Sequence, residues 1–467
     1  METSKYYKAL CSHDRRFDGR FFVGVRTTGI YCRPVCRVRT PKEENCIFFE
    51  TAAEAEKAGF RPCLKCRPEL APGDSLLESS SDLAKTVAKE IEASCGIDES
   101  LSELASRLGC SDRHLRRVFE EEFHVTPLQY RQTCRLLLAK SLLTDTGLSV
   151  TDVAMASGFG SLRRFNTVFE REYKLTPSAM RKQAAGGYRR KDSFTVEIGY
   201  RPPYRWEEIL AFLRPRAIPG VESIDDGVYR RTVGIKDRAG YIEVRKSERS
   251  ETLAVTVSSS LLPVLPRVLA RTRSLFDTDS DPDAITDGLG SMKDIDGKLP
   301  IPGLRVPGCF DPFEIAVRAI VGQQITVRAA TTLAGRLAAE YGTPVETGID
   351  GLDTVFPSAE TLLEKASTDR LGELGIIAAR SAAIMSAAEL FASGRSVTRE
   401  QLLDIKGIGP WTAGYIQMRA FGDTDVFLET DYAVKKALAP MSRKEMLELA
   451  EDWRPWRSYA VMELWNI

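Results

Sequence analysis

The chain has 467 residues, enough for roughly three domains, and 28% of them are charged with a formal net charge of zero. That zero hides a division: residues 1–191 hold 32 Lys+Arg against 25 Asp+Glu, and the remainder holds 33 against 40, so the front half suits a polyanionic partner. A charged N-terminus (Lys5, Lys8, Arg15, Arg16) is not a signal peptide, and no apolar run reaches the roughly 18 residues a membrane span needs, which argues against secretion and membrane residence.

The first chemical signal is a C-x3-C pair, Cys32 and Cys36, followed by a C-x2-C pair, Cys63 and Cys66. Two close thiol pairs present four sulfurs tetrahedrally to a single zinc ion. Arg26, Arg33, Arg37, Arg39, Arg61 and Arg67 crowd them; cationic neighbours favour thiolate and also attract phosphate. Spacing alone leaves two readings open, a structural zinc staple and a zinc site working against DNA. Cys11, Cys46, Cys95, Cys110, Cys134 and Cys309 show no pairing pattern, which is reduced, cytoplasmic usage.

Beyond the Pro/Gly/Ser-bearing stretch 71–82 the pattern turns helical and repeats. DRHLRRVFEEEFHVTP (112–127) and LRRFNTVFEREYKLTP (162–177) align at an offset of fifty, and LSELASRLG (101–109) matches VTDVAMASG (150–158) upstream. Each copy predicts a short helix, a turn at Gly109 or Gly158, and a second amphipathic helix whose Leu115, Val118, Phe119, Phe123 or Phe165, Val168, Phe169, Tyr173 form a core stripe. The second helix of a helix-turn-helix lies in the major groove. Here it offers Arg113, Arg116 and Arg117 in one copy and Arg163, Arg164 and Asn166 in the other; Arg reads guanine and Asn reads adenine. The offset fits half-sites about one DNA turn apart, and the segment 85–185 resembles the AraC-type DNA-binding domain.

RTTGIYCRPVCRVR (26–39) with GFRPCLKCR (59–67) resembles the zinc domain of Ada-type alkylation-response regulators, over residues 1–75. The resemblance implies that Cys32 is both zinc ligand and methyl acceptor. Cys36, Cys63 and Cys66 would complete the ligand set, and Thr28, Arg37, Arg39 and Arg61 would contact phosphates. A zinc-held thiolate is a soft nucleophile, and the methyl of a DNA phosphotriester is a suitable electrophile. The thioether product is not readily reversed, so each molecule acts once. Loss of one thiolate charge beside DNA lowers repulsion, and methylation is expected to tighten promoter binding.

A charged joint, residues 188–192, leads into strand-like runs at 195–200, 241–245 and 253–258 and a helix around Leu261–Phe276, an α+β layer over 193–305. After Pro307 the chain predicts helices. LLDIKGIGPWTAGY (402–415) places Gly407 and Gly409 between helical segments, a helix-hairpin-helix whose backbone N–H groups can approach a phosphate. Asp431 follows within FLETDYAVKK, then Trp453, Trp456, Tyr459 and Trp465. With RPPYRWEEILAFL (201–213), RVPGCFDPFEIAVRAIVGQQ (305–324) and DWRPWRSYAVMELW (452–465), these motifs resemble the AlkA-type methylpurine glycosylases of the HhH-GPD superfamily, over roughly 195–467.

That resemblance makes Asp431 the catalytic carboxylate and places Trp411, Tyr415 and Trp465 around the base pocket. Bifunctional relatives carry a lysine where this chain has Trp411, so hydrolysis without lyase chemistry is expected. Gln324 stands at the position of the apolar residue that wedges into DNA, which implies less efficient extrusion. The chain runs two residues past Trp465 where relatives continue, so an incomplete or mobile pocket wall is expected. No Pro-Cys-His-Arg sequence occurs, so O6-alkylguanine repair is not expected.

The expected protein is multidomain α+β: a small zinc domain (1–75), an all-α tandem helix-turn-helix (85–185), an α+β layer (193–305) and an all-α glycosylase domain (306–467). Its partners would be double-stranded DNA and RNA polymerase, with no membrane, in the cytoplasm at the bacterial nucleoid. Two alternatives compete: a methyl-sensing activator whose glycosylase half is an inactive DNA clamp, and an excision enzyme whose zinc is purely structural.

Overall fold

A computed structural model of the chain describes residues 3–72, 82–95, 100–183, 189–190, 192–249, 251–394 and 396–467. Most of the 71–82 stretch, and residues 188 and 191 of the charged joint, lie outside the described residues. The chain divides into two compact units. One joins Met1–Pro202 to Ser247–Ala270 and Thr278–Ser280; the other joins Pro203–Lys246 to Arg271–Asp277 and Asp281–Ile467. Among the described residues no helix is long and apolar enough to cross a membrane.

The first unit opens with α1 (Thr3–Ser12), then β1 (Phe22–Val25), β2 (Ile30–Cys32), β3 (Cys46–Phe49), α2 (Ala52–Lys57) and β4 (Arg61–Pro62). The strands form one sheet in the order β3-β1-β2-β4, with only β2–β4 parallel. Gly24 in β1 has no space for a side chain, since a Cβ there would stand 2.7 Å from Phe49 and 3.0 Å from Phe60. A capping box between Thr51 and Glu54 starts α2 and satisfies N–H groups that the first turn leaves unpaired.

Next come α3 (Asp82–Ser94), α4 (Leu101–Arg107), α5 (Asp112–Phe123), α6 (Pro127–Asp145), α7 (Val150–Ala156), α8 (Leu162–Tyr173) and α9 (Pro177–Gln183). The two expected copies are α4–α5 and α7–α8, joined through the 19-residue α6. The copies match in their ends as well as their periodicity. Ser111 and Ser161 N-cap α5 and α8, and His124 (φ 53°) and Lys174 (φ 56°) close them in left-handed conformations. Leu115 and Phe119, like Phe165, Val168, Phe169 and Tyr173, are buried. Each such side chain contributes about 1.5–3 kcal/mol when fully removed from water, so the aromatic stripe is core. Ser193–Gly199 pairs antiparallel with Thr252–Ser258 in the same unit.

In the second unit, Glu222–Asp225, Val228–Ile235 and Arg238–Lys246 form an antiparallel meander. Asp226 (φ 51°) and Gly227 (φ 72°) make the first hairpin turn. The strands Glu222–Asp225 and Val228–Ile235 lie outside the strand-like runs expected at 195–200, 241–245 and 253–258. The helix expected around Leu261–Phe276 is two elements, a 3-10 segment (Ser259–Val264) and the helix Leu265–Phe276. The helix Pro312–Val321 is almost wholly buried and packs against Ala378–Ala392 and Pro410–Ala420. A buried ionic network ties the meander to that helix. Arg231 meets Glu314 at 2.6 Å, Arg318 meets Glu314 at 2.6 Å and also Glu222, and the Tyr229 hydroxyl donates to Glu222 at 2.5 Å.

Candidate functional site

Cys32 is the last residue of β2 and pairs with Val23 of β1. Cys63 follows β4 directly, its N–H bonded to the Tyr31 carbonyl at 3.0 Å. Sheet pairing thus fixes one cysteine of each sequence pair, and two short turns bring in Cys36 and Cys66. The four Sγ atoms lie within 4.8 Å of one another, and Cys32, Cys36 and Cys63 are buried. A tetrahedral zinc site with bonds of about 2.3 Å separates its sulfurs by roughly 3.8 Å, so the donor set fits the ion.

The sulfurs are not equivalent. The Lys65 N–H donates to Cys63 at 3.4 Å and the Arg33 N–H to Cys66 at 3.4 Å. Among the described residues no backbone N–H donates to Cys32.

The surrounding arginines separate into two groups. Arg33 is buried, bonded to Asp18 at 2.8 Å and to the Cys66 carbonyl at 3.1 Å. Arg67 is buried between Glu69 (2.9 Å) and Asp145 (2.6 Å). Arg33 braces the module itself and Arg67 ties it to α6; neither is open to phosphate, which corrects the uniform reading of the arginine cluster. Thr28, Arg37 and Arg39 are exposed and Arg61 is half-buried; none of these three guanidiniums is in an ion pair among the described residues.

On the helix-turn-helix copies, Arg113, Arg163, Arg164 and Asn166 are exposed on the outer faces of α5 and α8. Arg116 is held by Asp112 at 2.7 Å, and Arg117 by Glu121 at 3.0 Å, each within its own helix. Among the described residues α8 has no i, i+4 ion pair of this kind, and its Arg171 meets the adjacent Glu172 at 2.6 Å.

In the second unit the hairpin runs from the helix Arg399–Asp404 to the helix Pro410–Ala420. Gly407 adopts φ +100°, a conformation that favours glycine. Gly409 caps the second helix with Pro410 behind it, and a Cβ on Gly409 would meet nothing within 4 Å, so the backbone there is open to a ligand. Gln324 is exposed and left-handed, φ +54°, a conformation a non-glycine residue keeps only when its neighbours impose it. Those neighbours are visible. The Gln323 amide donates to the Gly407 carbonyl at 2.8 Å and to Thr412 Oγ1 at 3.0 Å, and Arg380 donates to the Gln323 carbonyl. The loop bearing Gln324 is therefore fastened to the hairpin.

Asp431 is the N-cap of the helix Tyr432–Ala437, its Oδ1 accepting from the N–H groups of Ala433 (2.9 Å) and Val434 (3.2 Å). It is also more than a cap. Trp465 Nε1 donates to the same Oδ1 at 3.1 Å, and Trp411 Nε1 donates to Oδ2 at 3.0 Å. Four N–H donors hold an acceptor-only carboxylate, and Oδ2 keeps the greater free lone-pair capacity.

Tyr415 stacks on Trp411 (5.2 Å, 12°), with Trp465 at 6.4 Å. Trp465 is anchored on its nitrogen by Asp431 and flanked by the parallel ring of Phe212 (6.2 Å, 8°). Arg419 donates to the Tyr415 hydroxyl at 2.7 Å and to the carbonyls of Pro307 and Gly308. Phe212, Gln323 and Arg419 were missed in the sequence. The i, i+4 spacing of Tyr415 and Arg419 was the one available signal.

The chain matches the metal-binding domain of Ada over residues 5–69, a helix-turn-helix domain over 104–183 and the AlkA N-terminal domain over 195–311. It is 36% identical to a protein of Mycobacterium tuberculosis described as a probable bifunctional transcriptional activator/DNA repair enzyme AlkA, across 98% of this chain and 95% of the relative. It is 32% identical to DNA-3-methyladenine glycosylase 2 of Escherichia coli K12, across 57% of this chain and 95% of that enzyme. It is 30% identical to the bifunctional transcriptional activator/DNA repair enzyme AdaA of Bacillus subtilis, across 39% and 85%.

Proposed function

Because the chain belongs to the family of bifunctional transcriptional activator/DNA repair enzymes AlkA, we propose that it senses DNA alkylation at Cys32, activates transcription through its tandem helix-turn-helix, and excises alkylated purines such as 3-methyladenine at Asp431. The observation that carries the enzymatic part is the clasp on Asp431: two indole N–H groups fix a carboxylate against a stacked aromatic wall.

The four thiols would hold one zinc ion, which keeps sulfur deprotonated at neutral pH. Cys32 Sγ attacks the methyl carbon of a methyl phosphotriester; the S–C bond forms and the C–O bond breaks. The electron pair stays on the phosphate oxygen and restores an ordinary phosphodiester. Arg37, Arg39, Arg61 and Thr28 contact flanking phosphates. Methylation removes one negative charge from the cysteine cluster while the arginines keep theirs, so the module's attraction for DNA rises. Arg113, Arg116, Arg163, Arg164 and Asn166 read the promoter, and the bound protein recruits RNA polymerase at the nucleoid.

In excision, Gly407 and Gly409 grip the backbone and Gln324 enters the duplex as the target base rotates out. Cationic alkylpurines are favoured on the faces of Trp411, Tyr415 and Trp465. The C1′–N bond breaks with its electron pair leaving on the base, Asp431 Oδ2 stabilises the oxocarbenium-like sugar, and water adds at C1′. With Trp411 in place of an amine, the product is an abasic site. The block boundaries 1–75, 85–185, 193–305 and 306–467 are our assignment of these roles.

The test is release of free base from methylated duplex DNA by wild type and Asp431→Asn, alongside methyl uptake by Cys32→Ala. Release by wild type alone, with uptake lost only in Cys32→Ala, supports both halves. Release by neither protein would make the second half a DNA clamp.

A further inference from the structure

The first unit buries a carboxylate that neither reaction uses. Glu56, on α2, is 8% exposed. It accepts from the hydroxyls of Tyr31 (3.2 Å), Tyr173 (3.2 Å) and Thr133 (2.8 Å). Each partner sits at a telling place. Tyr31 precedes Cys32 on β2, Thr133 lies on α6 between the two helix-turn-helix copies, and Tyr173 is the last residue of α8. Tyr31 and Tyr173 are fully buried, so their hydroxyls have no water to turn to. Helices α2 and α6 pack together, and β4 packs on α8.

We propose that Glu56 is the positioning residue that locks the second recognition helix to the methyl-acceptor module, so that phosphate contacts and base contacts are made by one rigid body. This inference rests on the sensor reading given above. When two DNA-binding elements share one body, binding by the first raises the effective concentration of the second, and slack between them reduces that gain. A methyl on Cys32 improves the module's own grip on phosphate. The whole of that improvement reaches the promoter only while α8 cannot shift against the module. The ion pairs of Arg67 with Asp145 and of the buried Lys140 with Glu69 fasten α6 to the same module, Gln132 of α6 donates to Glu172 of α8 at 3.3 Å, and Tyr173 is the side chain of α8 that bonds to the module directly.

The experiment measures promoter affinity of methylated and unmethylated full-length protein for wild type, Glu56→Leu, Glu56→Gln and Tyr173→Phe, with methyl uptake and base release as controls. In Glu56→Leu and Tyr173→Phe the gain on methylation falls by roughly tenfold, with uptake and base release unchanged, while Glu56→Gln, which still accepts hydroxyls, keeps most of it. Tyr173→Phe removes one oxygen and leaves the ring, so it decides the matter where Glu56→Leu does not fold. A wild-type gain retained in both Glu56→Leu and Tyr173→Phe overturns the lock alone. No gain in wild type overturns the sensor reading and, with it, the role of the lock.

Discussion

Asp431 joins two tasks in one side chain, capping a helix and standing before the aromatic wall. The tasks separate by substitution. Asparagine is also a good N-cap, so Asp431→Asn should shift thermal stability by under about 1 kcal/mol. Base release should nevertheless fall by roughly a hundredfold or more, because a neutral amide cannot stabilise a developing cation; a stopped assay of free base checks this. Trp465→Phe keeps an aromatic surface but deletes one N–H donor to the carboxylate, and its rate should fall by about tenfold. Legibility at this scale follows chemistry. The zinc cysteines and Asp431 stand out in the sequence because spacing or context marks them. Phe212, Gln323 and Arg419 act by where the fold carries them, across some hundred residues in the contacts of Arg419 with Pro307 and Gly308, and no local pattern marks such a reach.

The two recognition helices are near-copies in sequence and unlike in electrostatics. Arg116 must leave Asp112 before it can reach a base, whereas Arg164 meets no carboxylate among the described residues. Arg164→Ala should therefore cost about 1–3 kcal/mol of promoter affinity and relax selectivity at one base pair. Arg116→Ala should cost less, and binding to a panel of single-base operator variants would rank them. The hairpin offers a backbone counterpart: Gly407→Val forces a β-branched residue to φ +100° and should weaken binding to any duplex, lesion or none, by fluorescence anisotropy. The helices of the two repeat copies were readable because their apolar residues recur at the 3.6-residue period. The strands around Asp226–Gly227 were passed over although an Asp-Gly pair between β-branched runs is a hairpin signal; Arg230, Arg231 and Glu222, turned inward or paired, blur the alternation that marks a strand.

The two units should respond oppositely to pH. Burial, reinforced by the nearby charge of Glu172, pushes the Glu56 carboxyl up to about 8, although Thr133, Tyr173 and Tyr31 donate to it. A carboxyl raised in the folded state stabilises fully below its unfolded value of about 4.5 and loses that contribution as pH climbs toward 8. The first unit of wild type should therefore lose stability relative to Glu56→Gln between pH 5 and 8. For Glu222, burial opposes ionisation but Arg318 and Arg231 outweigh it and hold the carboxyl down to about 2. Its contribution is present above about 4.5 and is lost as pH falls toward 2. Hydrogen exchange read separately on the two units would show the first loosening on the alkaline side and the second in acid.

In the proposed function Cys32 and Asp431 share a single backbone, one spent by its first event and the other free to repeat. A molecule that has taken its methyl still carries a working excision centre, so the record of exposure travels with the means of cure. A population of such molecules would count lesions in whole numbers and keep the tally until growth dilutes it, fading at the pace of cell division and not at the pace of repair.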